Sequence, residues 1–460
     1  MARMKSLLFL STLVLFVKFV SGNNEDEPTC YFSIEHQGTF LMQEQLFAPP
    51  PPPTSSSSIV PATSPSKTIS YSEITIEADS IPIWGRCYRK RGNLVIFKDS
   101  TGREDCMRCV HLTLKTPNVV QIFSEGLARC YTNEEAARAR CPTDLDVRKR
   151  ANFKEILLFR KHVPGGLQSL EHRFCPFNGK YRFSYVSSSS SLTSASNQNY
   201  KYMTKCDSSS NEAGNCPHGD ALGIKFRGCS FPNQDFNFLC LGDWDTPTTA
   251  FNGDRFLALM DLRDDPELSV PKYRCGLYRE EPNTGRIFMS LSSDSTCATG
   301  LKNSSFGHES FIMTPAHHFT SSSQSKSANI PFPSFVDESM CRFPEWTQSK
   351  WESSTVEGNT FTFKDEHNNY QTLTSKCIMR QTSTSNDRFV VYSQTQCGDQ
   401  SYRCVWFKRR SPNIMEFQFG QETTSYYDDK LCDDKQFPTN NWITQGSKYF
   451  SILVGHDGWQ

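Results

Sequence analysis

The chain has 460 residues, with 49 lysines and arginines against 49 aspartates and glutamates, and a hydrophobic content of 37%. A formal net charge of zero lacks the basic footprint that nucleic-acid binding requires, so nucleic acid is not expected as a partner. The length leaves room for several domains, and 34 phenylalanines predict thin aromatic cores that need covalent help.

In chain order, the first segment has the pattern of a secretory signal peptide over 1–22. Arg3 and Lys5 precede an apolar run, Leu7 to Val17, which Lys18 interrupts, and Val20-Ser21-Gly22 supplies small residues for cleavage. No stretch reaches the roughly 20 apolar residues that cross a bilayer, so no transmembrane segment is expected in the mature chain. Eighteen cysteines follow this segment and none lies within it. An even count in an oxidising compartment predicts a disulfide framework.

One unit then recurs three times. Arg108-Cys109, Arg274-Cys275 and Arg403-Cys404 are each followed by Pro-Asn: Pro117-Asn118, Pro282-Asn283 and Pro412-Asn413. Apolar residues flank each pair, so each unit reads as a β-hairpin turning at Pro-Asn. The other cysteines align around these hairpins. Each copy opens with one (Cys30, Cys175, Cys341), followed by a small-x-aromatic step at Gly38-Thr39-Phe40, Gly179-Lys180-Tyr181 and Ser349-Lys350-Trp351. A second shared cysteine (Cys87, Cys240, Cys377) precedes an apolar strand, and a fourth (Cys130, Cys297, Cys432) follows the hairpin. Just before the second cysteine, Ile74-Thr75-Ile76, Ile224-Lys225-Phe226 and Phe361-Thr362-Phe363 alternate as half-buried strands do.

These landmarks place β repeats at 23–145, 174–300 and 340–435. Between and beyond them lie a linker at 146–173 with a helix-like run from Asn152 to Lys161, a polar linker at 301–339, and a tail at 436–460 in which Tyr449 to Val454 suits one strand. A Pro/Ser-rich insertion at 48–70 and the serines from Ser187 to Ser191 read as surface loops. The expected fold is all-β: three tandem disulfide-stapled antiparallel domains, each a small barrel or sandwich.

Six cysteines stand outside the shared set. Cys106 and Cys141 are expected to pair in the first copy. Cys206, Cys216 and Cys229 in the second and Cys397 in the third leave an odd number on each side, which calls for one bridge between copies or two free thiols. Spacing leaves the rest of the connectivity open.

Few residues point to chemistry. Cys106-Met107-Arg108-Cys109 has the spacing of a redox or zinc pair, but a secretory context favours plain disulfides. His308, His317 and His318 lie in a serine-rich stretch, and Asp243, Asp245 and Asp254 lack calcium-loop spacing. No nucleophile elbow, zinc-protease or phosphate-loop motif occurs, so no catalytic residue, metal or cofactor is assigned. Two basic runs, Arg86, Arg89, Lys90 and Arg91 around Cys87 and Lys408, Arg409 and Arg410 in the third hairpin, are candidate contacts for anionic glycans. A third, Arg138, Arg140, Arg148, Lys149 and Arg150, crowds the first linker. Asn303-Ser304-Ser305 is a glycosylation sequon in a polar stretch.

The small-x-aromatic step and the arginine before the third cysteine resemble lipocalin closure, in which a G-x-W on the first strand meets a late arginine. By that analogy each guanidinium covers an aromatic ring at one end of a barrel. The wider pattern, Cys341-Arg342-Phe343-Pro344-Glu345-Trp346 with Trp351, Cys175-Pro176-Phe177 with Gly179, Trp244 after Cys240, and the three Arg-Cys hairpins, resembles an invertebrate family of secreted or surface-tethered proteins. These are built from tandem cysteine-rich domains of unknown function. The resemblance covers most of the mature chain and implies an extracellular setting. Relatives that continue into a further domain or a hydrophobic C-terminal anchor are not matched here. The function expected is non-enzymatic binding or scaffolding of an extracellular protein or glycan. The alternatives are carriage of a small apolar ligand inside the barrels and a secreted hydrolase.

Overall fold

The computed structural model describes residues 30–44, 69–149, 152–162, 169–190, 201–247, 253–263, 271–316, 332–381, 387–437 and 441–448. The signal segment, most of the Pro/Ser-rich insertion, Arg150, Ser191, His317, His318 and Tyr449–Val454 lie outside them. Three antiparallel sheets of eight, nine and eight strands form in chain order, as the repeat predicted. By contacts the chain divides into two units. One is Met1–Phe40, Ile74–Thr113 and Ile122–Lys154; the other is Leu41–Glu73, Leu114–Gln121 and Glu155–Gln460.

All three hairpins are present. Cys106–Thr116 is followed by Val119–Ser124, Tyr273–Glu280 by Ile287–Leu291, and Gln400–Ser411 by Ile414–Phe419. In the third, Ser411 pairs with Ile414 around Pro412-Asn413, a two-residue turn. The repeats agree in finer detail too. A register shift follows each second shared cysteine, at Cys87/Arg89, Cys240/Gly242 and Cys377/Met379. Such bulges bend a strand and re-aim its side chains. The amides of these three cysteines donate to Asp79, Asp220 and Asn359 carbonyls, each at 2.8 Å.

In the first unit, Gly85–Arg91, Leu94–Asp99 and Cys106–Thr116 pair in succession. The helix Glu134–Arg138, capped by the Asn133 side chain on the Ala136 amide, packs Ala137 onto Ile96, Met107 and Cys109. Phe32 and Trp84 close on Phe97 from the other face.

The second sheet is a closed barrel. Lys180–Ser190 pairs along one edge with Glu212–Gly214 and, further on, Lys201–Cys206, and along the other with Glu309–Pro315. Eight strands leave an interior that side chains can fill. Tyr181, Phe183, Tyr185, Phe226, Phe238 and Phe311 fill it, with Leu257, Leu259 and Met289. Along Arg255–Asp261 the alternate residues Phe256, Ala258 and Met260 face outward. They are buried against Val119, Leu157 and Phe159, so both faces of this strand are covered. Phe159 stacks on Tyr273 at 4.6 Å.

The third sheet closes where Trp351 bridges Ser447 and the Glu352 amide donates to the Gly446 carbonyl at 3.0 Å. Its interior holds Phe343, Phe361, Phe363, Phe389, Phe407 and Phe417. Phe361, fully buried, meets Phe407 and Phe417 at 5.1 and 5.0 Å. Edge-to-face rings in contact supply the cohesion that the low aliphatic content withholds.

Several expectations are corrected. Asn152–Lys161 is not helical: Lys154–Arg160 is a strand, and Arg160 donates its amide to the Asn118 carbonyl and its Nε to Pro117. Ser187–Ser190 is strand, paired with Lys201–Thr204, because backbone pairing asks nothing of the serine side chains. Part of the polar linker, Glu309–Pro315, closes the second barrel, and the tail supplies Ile443–Gly446 to the third.

Candidate functional site

Nine disulfides use all eighteen cysteines. The first two shared cysteines pair in every copy: Cys30–Cys87, Cys175–Cys240 and Cys341–Cys377. The third and fourth pair in two copies, as Cys275–Cys297 and Cys404–Cys432. In the first copy they do not. Cys109 bonds Cys141 and Cys106 bonds Cys130, so the expected Cys106–Cys141 pair is wrong. Neighbours on a strand point to opposite faces at odd spacing, and Cys106 and Cys109 therefore reach different partners. Neither half of this C-x-x-C faces the other as a redox pair. Cys206 bonds Cys229, and the odd cysteines Cys216 and Cys397 form the bridge between copies.

Around that bridge the second and third repeats touch closely. The Gly219 amide donates to the Asn369 carbonyl at 2.9 Å. Tyr370 lies against His172 and Phe174, with ring centroids 5.8 and 5.0 Å away. Lys364 holds its amine 5.3 Å over Phe174.

A charged network sits at the second barrel. Glu309 accepts from the Tyr185 hydroxyl at 2.8 Å on one oxygen and from Arg274 on the other, while Arg274 also donates to the Ser292 carbonyl at 2.7 Å. Burial alone would raise the Glu309 carboxyl, but Arg274 and Tyr185 outweigh it and hold the pKa below the ordinary glutamate value. Burial, then the Glu309 charge, pushes the Tyr185 phenol upward. The acid stays ionised and the phenol neutral, so the trio is a satisfied structural network.

The analogy with lipocalin closure fails at these arginines. Arg274 is engaged with Glu309; Arg108 donates to the Leu127 and Trp84 carbonyls at 2.8 and 3.1 Å; Arg403 lies 5.1 Å from the Phe419 ring. The guanidiniums satisfy carbonyls and a carboxylate or cover a different ring.

Several members of the basic runs are already paired. Arg86 pairs with Asp79 at 2.5 Å, Arg89 with Glu134 at 3.2 Å, and Lys90 donates to the Tyr31 carbonyl while lying 5.4 Å over Phe32. Arg410 pairs with Glu416 at 2.5 Å, and Lys408 lies 5.3 Å over Trp442. Arg91 and Arg409 are exposed and have no acidic partner among the described residues. Of the third run, Arg140 pairs with Glu125 at 3.5 Å.

Asp243 and Asp245 both receive Arg255, and Asp254 accepts from the Ser304 amide and hydroxyl at 2.7 and 2.8 Å. Among the described residues no group of three or more His, Cys, Asp or Glu side chains could hold a metal ion. Asn303 is exposed in a tight turn, its side-chain oxygen accepting from the Ser305 amide at 2.9 Å.

One feature of the third repeat was not singled out in the sequence. The Arg388 guanidinium lies 4.2 and 4.8 Å from the ring centroids of Trp406 and Phe437, which also touch each other, and pairs with Asp434 at 2.8 Å. Trp442 meets Trp406 edge-on at 4.8 Å. The ladder continues to Lys408, so one predicted basic residue belongs to an aromatic surface on the third repeat.

Three domain models match the chain. They are domains of unknown function: DUF7044 over residues 28–146, DUF7042 over 171–315 and DUF7043 over 337–444. The chain is thus a tandem of three such domains. No curated protein and no solved structure matches it. Among the described residues no helix is long and apolar enough to cross a membrane.

Proposed function

We propose that the chain is a secreted, non-enzymatic extracellular protein of invertebrate type, whose outer faces bind or scaffold a protein or matrix glycan. One observation carries this: the interiors of the second and third barrels are filled by aromatic rings, and in the second Glu309 is held by Arg274 and Tyr185. Recognition then falls to exposed side chains. Nine disulfides support an oxidising compartment. Filled interiors weigh against carriage of an apolar ligand, which calls for a cavity of at least ~300 Å³. Paired carboxylates weigh against a hydrolase, which needs ionisable groups free to act.

The test is expression of the full chain in an animal secretory pathway. The product is expected in the medium, starting near Asn23, with an N-linked glycan that Asn303→Gln removes. Labelled chain is then applied to cells with and without prior removal of sulfated glycans. Saturable binding with no turnover of glycan or peptide substrates supports the proposal. Absence from the medium, or hydrolysis of a substrate at a defined rate, refutes it.

A further inference from the structure

Most described tyrosines of this chain that face its interior have engaged hydroxyls. Tyr71 bonds Ser295, Tyr181 the Asn178 carbonyl, Tyr185 Glu309, Tyr278 Asp243 and Tyr392 Gln400. Tyr426 and Tyr427 differ. They are 66% and 43% exposed, on a segment between the last strand of the third hairpin and the turn Asp429–Cys432. The segment is anchored at both ends. Thr424 bridges Tyr402 on one side, and the Cys404–Cys432 disulfide pins the other. Between these anchors Ser425–Asp428 is in neither helix nor strand. The Tyr426 hydroxyl has no hydrogen bond among the described residues, and that of Tyr427 meets only the Met379 sulfur at 3.3 Å.

The charge around them is mainly negative. Glu422, Asp428, Asp429, Asp433 and Asp434 flank the pair in sequence, with Lys430 and Lys435, and Asp434 is paired with Arg388. Two of these, Asp429 and Asp428, act on Tyr427 directly: after burial, their charges raise its phenol. Tyr88 provides an internal contrast. It is as exposed as Tyr427, at 41%, but sits among Arg86, Arg89, Lys90 and Arg91 with the Lys98 amine 5.9 Å over its ring.

We propose that Tyr426 and Tyr427 are sites of O-sulfation, carried out while the chain passes through the secretory lumen. The inference rests on the extracellular reading above. An enzyme that handles an anionic sulfate donor has a basic cleft, and such a cleft selects tyrosines flanked by carboxylates and rejects one flanked by arginines. The donor is an adenylyl-activated sulfate, a mixed phosphoric–sulfuric anhydride. The phenolic oxygen forms a bond to sulfur, the bond from sulfur to the bridging phosphate oxygen breaks, and the phenolic proton passes to a base on the enzyme. Nothing is oxidised or reduced. Each sulfate adds a fixed negative charge to an already acidic surface, which suits a basic extracellular partner rich in arginine.

The experiment uses the full chain secreted by an animal cell line, with a known sulfated protein as a control. Peptides spanning Tyr426 and Tyr427 are expected to carry the mass of one or two SO3 groups. These should be lost on gentle gas-phase activation, resist phosphatase, and disappear when chlorate blocks donor synthesis. The Tyr88 peptide should be unmodified, and Tyr426→Phe with Tyr427→Phe should abolish the signal while secretion continues. An unmodified pair in secreted chain, a phosphatase-sensitive label, or equal labelling of Tyr88 overturns the proposal. A chain retained inside the cell counts against the extracellular reading and against the modification with it.

Discussion

Cys216 and Cys397 are bonded to each other across 181 residues of sequence. The bond fastens the second repeat to the third at the place where Gly219 meets Asn369 and where His172 and Phe174 meet Tyr370. Asn369 and Tyr370 adopt φ of 52° and 54°, a left-handed conformation uncommon for residues with a side chain.

Replacing both cysteines, as Cys216→Ser with Cys397→Ser, is expected to lower stability by about 2–4 kcal/mol, the usual contribution of a native disulfide. Each repeat keeps its internal bridges, so the variant should still fold. Thermal melts should broaden or split in the variant, and limited proteolysis should separate the two repeats. An unchanged single transition would count against the bond as the fastening.

Gly219 has no room for a side chain. A Cβ there would collide with the Tyr370 carbonyl, which is backbone and cannot rotate away. Gly219→Ala is therefore expected to cost about 1–3 kcal/mol by overpacking. Hydrogen exchange should show faster exchange at Gly219 and around Tyr370, while the interior of the third barrel is unaffected.

Glu309 gives a stability term that depends on pH. Its native pKa lies below the ordinary glutamate value, so its contribution is complete above that ordinary value. On acidification the unfolded chain takes up the proton first, and the contribution is lost as pH falls through the lowered native value. Glu309→Gln should cost about 3 kcal/mol near neutral pH by leaving Arg274 buried and half-paired. Denaturation midpoints across the acid range should then change less steeply with pH than in the parent chain.

Lys90, Arg91, Lys408 and Arg409 have no acidic partner among the described residues, and of these Lys90 and Lys408 are engaged with a carbonyl or an aromatic ring. Arg91→Ala with Arg409→Ala should elute from heparin at lower salt than the parent. Arg86→Ala should have a smaller effect, because Arg86 is already paired with Asp79. Equal effects would show that the pairs open freely to anionic ligands.

Phe361 tests the aromatic interior. It is fully buried among rings of the third barrel, and Phe361→Ala is expected to cost about 3–5 kcal/mol. The measurement is the denaturant midpoint; a shift of less than half this size would mean that the barrel collapses around the gap.

The amino-acid sequence by itself determined the three hairpins, the strands beside the second shared cysteines and the choice between one bridge between copies and two free thiols. Turn chemistry, alternation and cysteine parity are local or countable, so they can be read without coordinates. It did not separate strand from helix at Lys154–Arg160. That run is buried along most of its length, and without alternation the two periods look alike. Nor did it find the closing strand Glu309–Pro315, whose polar surroundings resemble a linker until the barrel edge of Lys180–Ser190 supplies its partner.

Only the tertiary structure decided which sulfurs meet in the first copy, where Cys106 and Cys109 take different partners, and where the arginines before the third cysteines point. It also showed that Arg86, Arg89 and Arg410 of the candidate anion-binding runs are paired with carboxylates, and that Tyr426 and Tyr427 are exposed beside Asp428 and Asp429. These are matters of which side chains share a point in space. Spacing along a chain constrains that only through the strands it builds, and the closing of each barrel brings together residues that no local pattern connects.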